Sequence, residues 1–135
     1  MYPHTRPGES RPEVSSPCNF HWIHFHTRTP AWFGRTLSAE VRANDTTCRL
    51  GGEEFVVVAA GLGAPAASEL VDRIRAAWVD DAPYPVTFSA GVAPVTGSGG
   101  TPALLAADRA LYRAKRRGRN RTEIEAAECR RDVLL

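Results

Sequence analysis

The segment Thr46–Ala60 constrains the fold more than any other, because two strand-like runs flank a short acidic turn. Thr46–Leu50 is rich in β-branched and polar residues, and Phe55–Ala60 is a continuous apolar run. The turn Gly51–Glu54 has the sequence Gly-Gly-Glu-Glu, and glycines at such a reversal are typical of a β-hairpin. An uninterrupted apolar strand is expected where both faces of a sheet are covered. The segment therefore predicts a sheet flanked by helices.

Periodicity and chain breakers predict the remaining elements. Helical spacing of apolar residues predicts helices over 31–43, 66–78 and 101–117, and period-two alternation predicts a strand over 86–92. Thr101 is expected to cap the last helix, with Pro102 as its first residue and Gly118 as its stop. Residues 20–26 suit a short strand or a piece of loop, and 121–125 suit a final strand. The order β-α-β-β-α-β-α-β predicts an α/β (α+β) fold with helices packed on a ferredoxin-like sheet.

Charge is concentrated in one place. The 135 residues carry 17 Lys+Arg against 15 Asp+Glu, a net charge of +2, and six of the cations lie within 113–121, where there is no acid. This pattern predicts a local anion site and argues against a nucleic-acid surface. No run approaches the ~20 apolar residues of a membrane span, and no signal pattern opens the chain, so we expect a cytoplasmic protein without a membrane partner.

The acidic turn has its own chemistry. Adjacent carboxylates on a turn, here Glu53 and Glu54, need not point to opposite faces and can share a hard divalent cation such as Mg²⁺. Gly51 and Gly52 carry no Cβ, so a phosphate or a ribose can approach the backbone closely. A hairpin turn decorated with solvated acids explains the same four residues equally well.

Three motifs resemble the GGDEF-domain family, the diguanylate cyclases. Arg49–Phe55 is similar to the family signature in its GGEEF form, and Val86–Val92 resembles the strand that follows the second helix. Ala107–Asn120 is similar to the closing helix with its AD…ALY.AK..GRN pattern. The resemblance covers roughly residues 31–125, which we interpret as a partial GGDEF domain.

The resemblance implies a palm-type fold that condenses two GTP molecules into cyclic di-GMP with loss of pyrophosphate. A homodimer would hold one GTP on each subunit. Glu53 would bind Mg²⁺ (or Mn²⁺) and act as base for the 3′-hydroxyl, with Glu54 beside it, while Gly51 and Gly52 would line the nucleotide. Lys115 and Arg119 would bind phosphate, and their spacing of one helical turn would let both reach the same group.

A second motif resembles the family's inhibitory RxxD site for cyclic di-GMP. Five residues separate the end of Arg42-Ala-Asn-Asp45 from Gly51, and Arg73 matches a further arginine of that site. An arginine fork can bond the O6/N7 edge of guanine, and a carboxylate can accept from its N–H groups. An Arg42–Asp45 pair that caps the end of a helix is the alternative interpretation.

The chain departs from the family at its N-terminal side. The family's FDxDxFKxxND segment, whose first aspartate is the other metal ligand, has no match, because no aspartate precedes Asp45. We therefore expect an N-terminally truncated domain, with 1–30 an unrelated and largely disordered tail and 126–135 a second tail. Phe20–His26 is expected to fill the place of the missing central strand.

This departure predicts that catalysis by this chain alone is severely impaired or absent, because a metal held by Glu53 without the aspartate has lost half of its protein carboxylate charge. Histidines such as His24 and His26 are poor substitutes for an aspartate at Mg²⁺, because imidazole prefers softer metals. Two alternatives to a working cyclase follow: a degenerate domain that binds cyclic di-GMP, and an inactive remnant.

Overall fold

Three helices and five strands make up the computed structural model, which describes residues 20–61, 63–96 and 99–125. In chain order these are β1 (Phe20–Thr27), α1 (Pro30–Glu40), β2 (Thr46–Arg49), β3 (Glu54–Ala60), α2 (Ala64–Asp81), β4 (Phe88–Pro94), α3 (Gly100–Arg116) and β5 (Thr122–Ile124). The predicted order of elements is confirmed. Of the tail predicted over 1–30, residues 1–19 lie outside the described residues, whereas the rest is not a tail, because 20–27 form β1 and Pro30 begins α1. The tail predicted over 126–135 also lies outside the described residues.

β1 is the central strand of the sheet, whose order is β2-β3-β1-β4-β5. It runs antiparallel to both neighbours, so that Phe25 lies opposite Phe55 on one side and Ala90 on the other. β2 pairs antiparallel with β3, and β5 pairs parallel with β4. The strand predicted at Phe20–His26, and its central place, are therefore confirmed, as is the mixed α/β fold.

The main core lies between the sheet and the helix pair α1 and α2. Phe33 of α1 is at its centre, with ring centroids 5.0–5.5 Å from those of Phe25, Phe55, Trp78 and Phe88. Aromatic pairs at such separations contribute about 0.5–1.5 kcal/mol each beyond the area they bury. This cluster fixes the position of β1, which is the strand that faces the acidic turn.

α3 packs against the opposite face of the sheet at very short range. A Cβ on Gly91 of β4 would lie 2.2 Å from the carbonyl oxygen of Ala107 and 2.3 Å from the amide nitrogen of Leu111. The missing side chain thus lets the helix backbone rest directly on β4. That contact brings the α3 side chains beside β1, on the face that carries His24.

Element boundaries differ from the predictions, and the ends of α1 and α3 show why. α1 ends at Glu40 because Val41 is extended, with ψ 156°. α3 begins at Gly100 with Gly99 before it at φ 99°, so the prediction of Thr101 as the N-cap is wrong. Pro102 is tolerated because the first backbone N–H groups of a helix have no intrahelical partner. Gly118, at φ 117°, does follow the helix end as predicted.

Within the described part of the chain, no helix has the length and apolar character needed to cross a membrane.

Candidate functional site

The acidic turn is fixed by its backbone to the strands on both sides. The carbonyl oxygen of Glu53 accepts the Thr27 N–H at 2.9 Å, which ties the turn to the end of β1. The Leu50 N–H donates to the carbonyl oxygen of Glu54 at 2.8 Å and closes the hairpin. The two glutamates therefore start from a defined backbone position.

Arg49 holds the two glycines of the turn, and sequence analysis assigned it no such role. Its Nε donates to the carbonyl oxygen of Gly51 at 3.0 Å, and its Nη2 donates to that of Gly52 at 2.9 Å. Both glycines are exposed, and a Cβ built on either one would meet no atom within 4 Å. Packing within the chain therefore does not require glycine at these positions, and the space outside the turn is open.

Each glutamate of the turn is paired with a histidine of β1. His24 Nε2 lies 2.7 Å from Glu54 Oε1, and His26 Nε2 lies 2.9 Å from Glu53 Oε1. Glu54 lies opposite His26 in the strand register and reaches His24 along the diagonal. The Glu53 and Glu54 side chains are 52% and 41% exposed, so both carboxylates remain open to solvent.

Asp108 of α3 lies next to His24, on the side of the ring nitrogen that does not contact Glu54. His24 is buried, and its Nδ1 lies 3.5 Å from Asp108 Oδ1. His21 lies on the other face of β1, because side chains alternate along a strand. His21, His24 and His26 therefore cannot form one metal site, and no group of three or more His, Cys, Asp or Glu side chains suited to a metal occurs among the described residues.

Lys115 of α3 places a positive charge close to the turn. Burial lowers the pKa of His26, the positive charge of Lys115 lowers it further, and together they outweigh the opposing effects of Glu53 and Glu54. The imidazole of His26 is therefore predominantly neutral at pH 7.

Arg119 approaches the same region from the turn after α3. It lines a cavity together with His26. The helical spacing predicted for Lys115 and Arg119 is wrong, because α3 ends at Arg116 and Arg119 is left-handed at φ 62°. Both cations nevertheless lie near His26: the charge of Lys115 acts on its imidazole, and Arg119 lines the same cavity.

The glutamates suit Mg²⁺ only if a nucleotide completes the coordination. Mg²⁺ is commonly bound through one or two carboxylates together with substrate phosphates and water, and does not need a cage built from protein alone. Glu53 and Glu54 meet that requirement as adjacent, half-exposed oxygen donors. His24 and His26, which hold the two carboxylates in this structure, supply nitrogen donors that suit softer metals.

The Arg42–Asp45 pair forms a compact link just beyond the end of α1. Asp45 Oδ1 lies 2.6 Å from Arg42 Nη2, and Asp45 Oδ2 accepts from Nε at 3.1 Å and from the Arg42 backbone N–H at 2.8 Å. The Ala60 N–H also donates to Asp45 Oδ1, at 3.2 Å. The Asp45 side chain is fully buried and that of Arg42 is 39% exposed, so only the arginine can meet a ligand without rearrangement.

Hydrogen bonding keeps Asp45 ionised in the folded chain. Burial works to raise the pKa of this carboxyl, but donation from Arg42 and from the Ala60 N–H outweighs burial and lowers it below 3.8. Its contribution to stability is therefore present above the unfolded-state pKa and is lost as the pH falls through the folded-state pKa.

Three other arginines have roles that the sequence did not indicate. Arg75 of α2 bonds the Phe88 carbonyl and the side chains of Asn120 and Thr122. Arg113 and Arg117 form ion pairs with Glu125 and Glu123 at 2.9 and 2.8 Å. Arg73 is exposed on α2, as a ligand-binding role would require. Recognising the contacts of Arg75 requires knowledge of which elements are neighbours in space.

The fold and the acidic turn define the class of protein: a palm-like domain whose acidic turn lies close to cationic side chains. Residues 31–121 match the family model described as "Diguanylate cyclase, GGDEF domain". The chain therefore belongs to the GGDEF-domain family of diguanylate cyclases. The family prediction is thereby confirmed.

Known proteins of this family match both the sequence and the fold. The chain is 39% identical over 106 residues to the response regulator PleD of Caulobacter vibrioides, covering 70% of this chain and 23% of PleD. It is 39% identical over 95 residues to the diguanylate cyclase DgcP of Pseudomonas aeruginosa, covering 65% of this chain and 14% of DgcP. The chain thus spans less than a quarter of the length of these relatives.

Solved GGDEF structures share the fold at lower identity. The active GGEEF domain of a Vibrio cholerae diguanylate cyclase superposes with a TM-score of 0.68 at 22% identity, covering 79% of this chain and 83% of that domain. The GGDEF domain of DgcB from Caulobacter crescentus, solved in complex with c-di-GMP, gives 0.70 at 20% identity, covering 78% and 77%. These likenesses establish the palm-like architecture.

Proposed function

We propose that this chain is a diguanylate cyclase domain that condenses two GTP molecules into cyclic di-GMP and releases pyrophosphate. The observation that carries the proposal is the fixed acidic turn, with two half-exposed carboxylates and with Lys115 and Arg119 around the adjoining His26. Phosphoryl transfer depends mainly on positioning and charge neutralisation, which such a site supplies. The predicted homodimer, one GTP per subunit, and the predicted cytoplasmic location are part of this proposal.

Each group of the turn has a defined task in the proposed reaction. Glu53 accepts the proton of the attacking 3′-hydroxyl, and Glu54 adds negative charge beside it. Lys115 and Arg119 bind phosphate oxygens. The open space outside Gly51 and Gly52 accommodates the nucleotide. Arg49 holds both glycines in place by donating hydrogen bonds to their carbonyl oxygens.

Glu53 and Glu54 are the residues that would hold Mg²⁺ or Mn²⁺. When bound, the ion neutralises phosphate charge and polarises the phosphoryl group under attack. His26 donates to Glu53 in the structure, and it therefore competes with any cation for this carboxylate. The imidazole has to give up that hydrogen bond before Glu53 can take its proposed role.

Turnover of GTP tests the proposal directly. The purified chain, incubated with GTP and Mg²⁺ or Mn²⁺, is expected to release pyrophosphate and to form cyclic di-GMP detectable by mass spectrometry. Glu53→Gln should lower the rate about 100-fold or more, because a carboxylate that binds metal and accepts a proton is lost. Glu69→Gln, on the exposed surface of α2, is the matched control and should retain the wild-type rate. A wild-type chain that makes neither product contradicts the cyclase proposal.

A second candidate function is binding of cyclic di-GMP at Arg42, Asp45 and Arg73. The half-exposed Arg42 guanidinium, held through Nε and Nη2 by the buried Asp45 carboxylate, favours it, because Nη1 of a fixed guanidinium can donate to a guanine edge with little loss of side-chain freedom. The DgcB domain that shares this fold was solved with c-di-GMP. In this function Asp45 positions Arg42, while Arg42 and Arg73 contact the ligand.

Calorimetry with cyclic di-GMP distinguishes this function from turnover. The wild-type chain should bind, and Arg42→Ala should weaken binding about tenfold or more through loss of a charged hydrogen-bond donor. Arg35→Ala removes an exposed arginine of α1 that stacks on Trp32, with 4.9 Å from Cζ to the ring centroid, and should leave binding unchanged. Unchanged affinity in Arg42→Ala removes this site from consideration. A chain that neither binds cyclic di-GMP nor turns over GTP is the inactive remnant.

A further inference from the structure

A cavity of about 480 Å³ opens beside the acidic turn, where the end of β1 meets residues 84–89 and the turn after α3. Arg28 and Arg119 both line it, together with hydroxyl side chains that include Thr87 and Ser89. None of its described lining residues is an acid. Its size falls within the range of pockets that hold small ligands, and its charge favours an anion.

The two arginines reach this cavity from unrelated parts of the chain. Arg28 follows directly after β1, and its side chain is exposed. It lies outside residues 31–121, the part that matches the family model. Arg119 comes from the turn after α3, beyond the last residue of the helix.

The backbone that presents Arg119 is in an unfavourable conformation. Arg119 and Asn120 have φ values of 62° and 45°, a left-handed conformation that asparagine tolerates and arginine rarely adopts. The Arg119 N–H donates to the Ala114 carbonyl at 2.8 Å, which closes the turn on the helix. A second contact holds the turn at Asn120.

Arg75 of α2 provides that contact. Its Nη1 donates to Asn120 Oδ1 at 3.1 Å and to the Phe88 carbonyl at 2.8 Å, and its Nη2 donates to Thr122 Oγ1 at 2.7 Å. The guanidinium lies 4.2 Å from the centroid of the Phe88 ring. A planar fork is required to make these bonds together, and a lysine ammonium cannot reproduce them.

We propose that Arg28 and Arg119 bind the phosphate groups of the nucleotide in this cavity, and that Arg75 is a positioning residue that holds Arg119 there. The inference rests on the proposed function, because GTP is the ligand that it assigns to the cavity. It adds one phosphate-binding cation from outside the family-matched residues and one positioning residue from α2.

Binding of inorganic tripolyphosphate tests the cavity separately from catalysis. Calorimetry on the full chain, without added divalent ions, should show binding that Arg28→Ala weakens about tenfold, because one charged donor is lost. Affinity for GTP should fall to the same extent, whereas Arg35→Ala should change neither affinity. Unaltered tripolyphosphate affinity in Arg28→Ala, or the absence of binding by the wild-type chain, overturns the proposal.

Two variants separate positioning by Arg75 from a purely structural role. Arg75→Lys keeps the positive charge but loses the fork, and Asn120→Gly keeps the left-handed conformation accessible but removes the contact with Arg75. Both should weaken tripolyphosphate binding several-fold while the chain stays folded by circular dichroism. A lower thermal midpoint with unchanged affinity assigns Arg75 a structural role alone and overturns this part of the proposal. If all binding results hold but GTP gives no cyclic di-GMP, the cavity stands and the cyclase proposal fails.

Discussion

Gly91 is the residue at which a single added carbon should do most damage to the fold. The atoms that a Cβ would meet are backbone atoms of α3, which cannot move aside as a flexible side chain could. Gly91→Ala should therefore force α3 away from β4 and lower the free energy of unfolding by about 3 kcal/mol. Urea denaturation followed by circular dichroism measures this loss.

Gly34→Ala is the matched control for that substitution. Its Cβ would lie 3.4 Å from the Phe55 ring, an ordinary contact with a side chain, and alanine is favoured over glycine inside a helix by about 1 kcal/mol. The control should be as stable as the wild-type chain or more so. Equal stability of Gly91→Ala and wild type would show that the sheet and α3 are not in the close contact described above.

At the same scale, the sequence identified the acids of the site but not their partners. Glu53 and Glu54 are recognisable because their chemistry is local to one turn. Their pairing with His26 and His24 depends on the register between β1 and β3, which no local pattern in either strand sets. The role of Arg75 was missed for the same reason, since its partners follow it by 13 to 47 positions in sequence.

At the scale of elements, periodicity predicted all eight in the correct order, and the errors fall at their ends. β4 spans Phe88–Pro94, displaced by two residues from the predicted 86–92, because period-two alternation does not define which residues pair. α2 spans Ala64–Asp81 and so extends beyond the predicted 66–78 at both ends, where polar residues weaken the apolar stripe. Thr101 was a reasonable N-cap by residue type, but Gly99 takes that position with a positive φ.

The whole molecule depends on β1, which comes from the part of the chain that precedes the family match. Its alternate side chains serve two purposes: Ile23 and Phe25 join the main core, while His24 and His26 face the acidic turn. One strand therefore joins the two halves of the sheet and also positions both glutamates. The residues that match the family model, 31–121, do not include the central strand of the sheet.

Removing β1 should abolish cooperative folding of the entire domain. A chain that starts at Arg28 leaves the inner edges of β3 and β4 unpaired and removes Phe25 from the aromatic cluster around Phe33. We expect no cooperative thermal transition for residues 28–135 by circular dichroism. A chain that starts at Phe20 keeps every described strand and should retain the transition. A cooperative transition in the shorter chain would mean that β3 and β4 can pair without β1, and the histidine contacts with the turn would then be dispensable for folding.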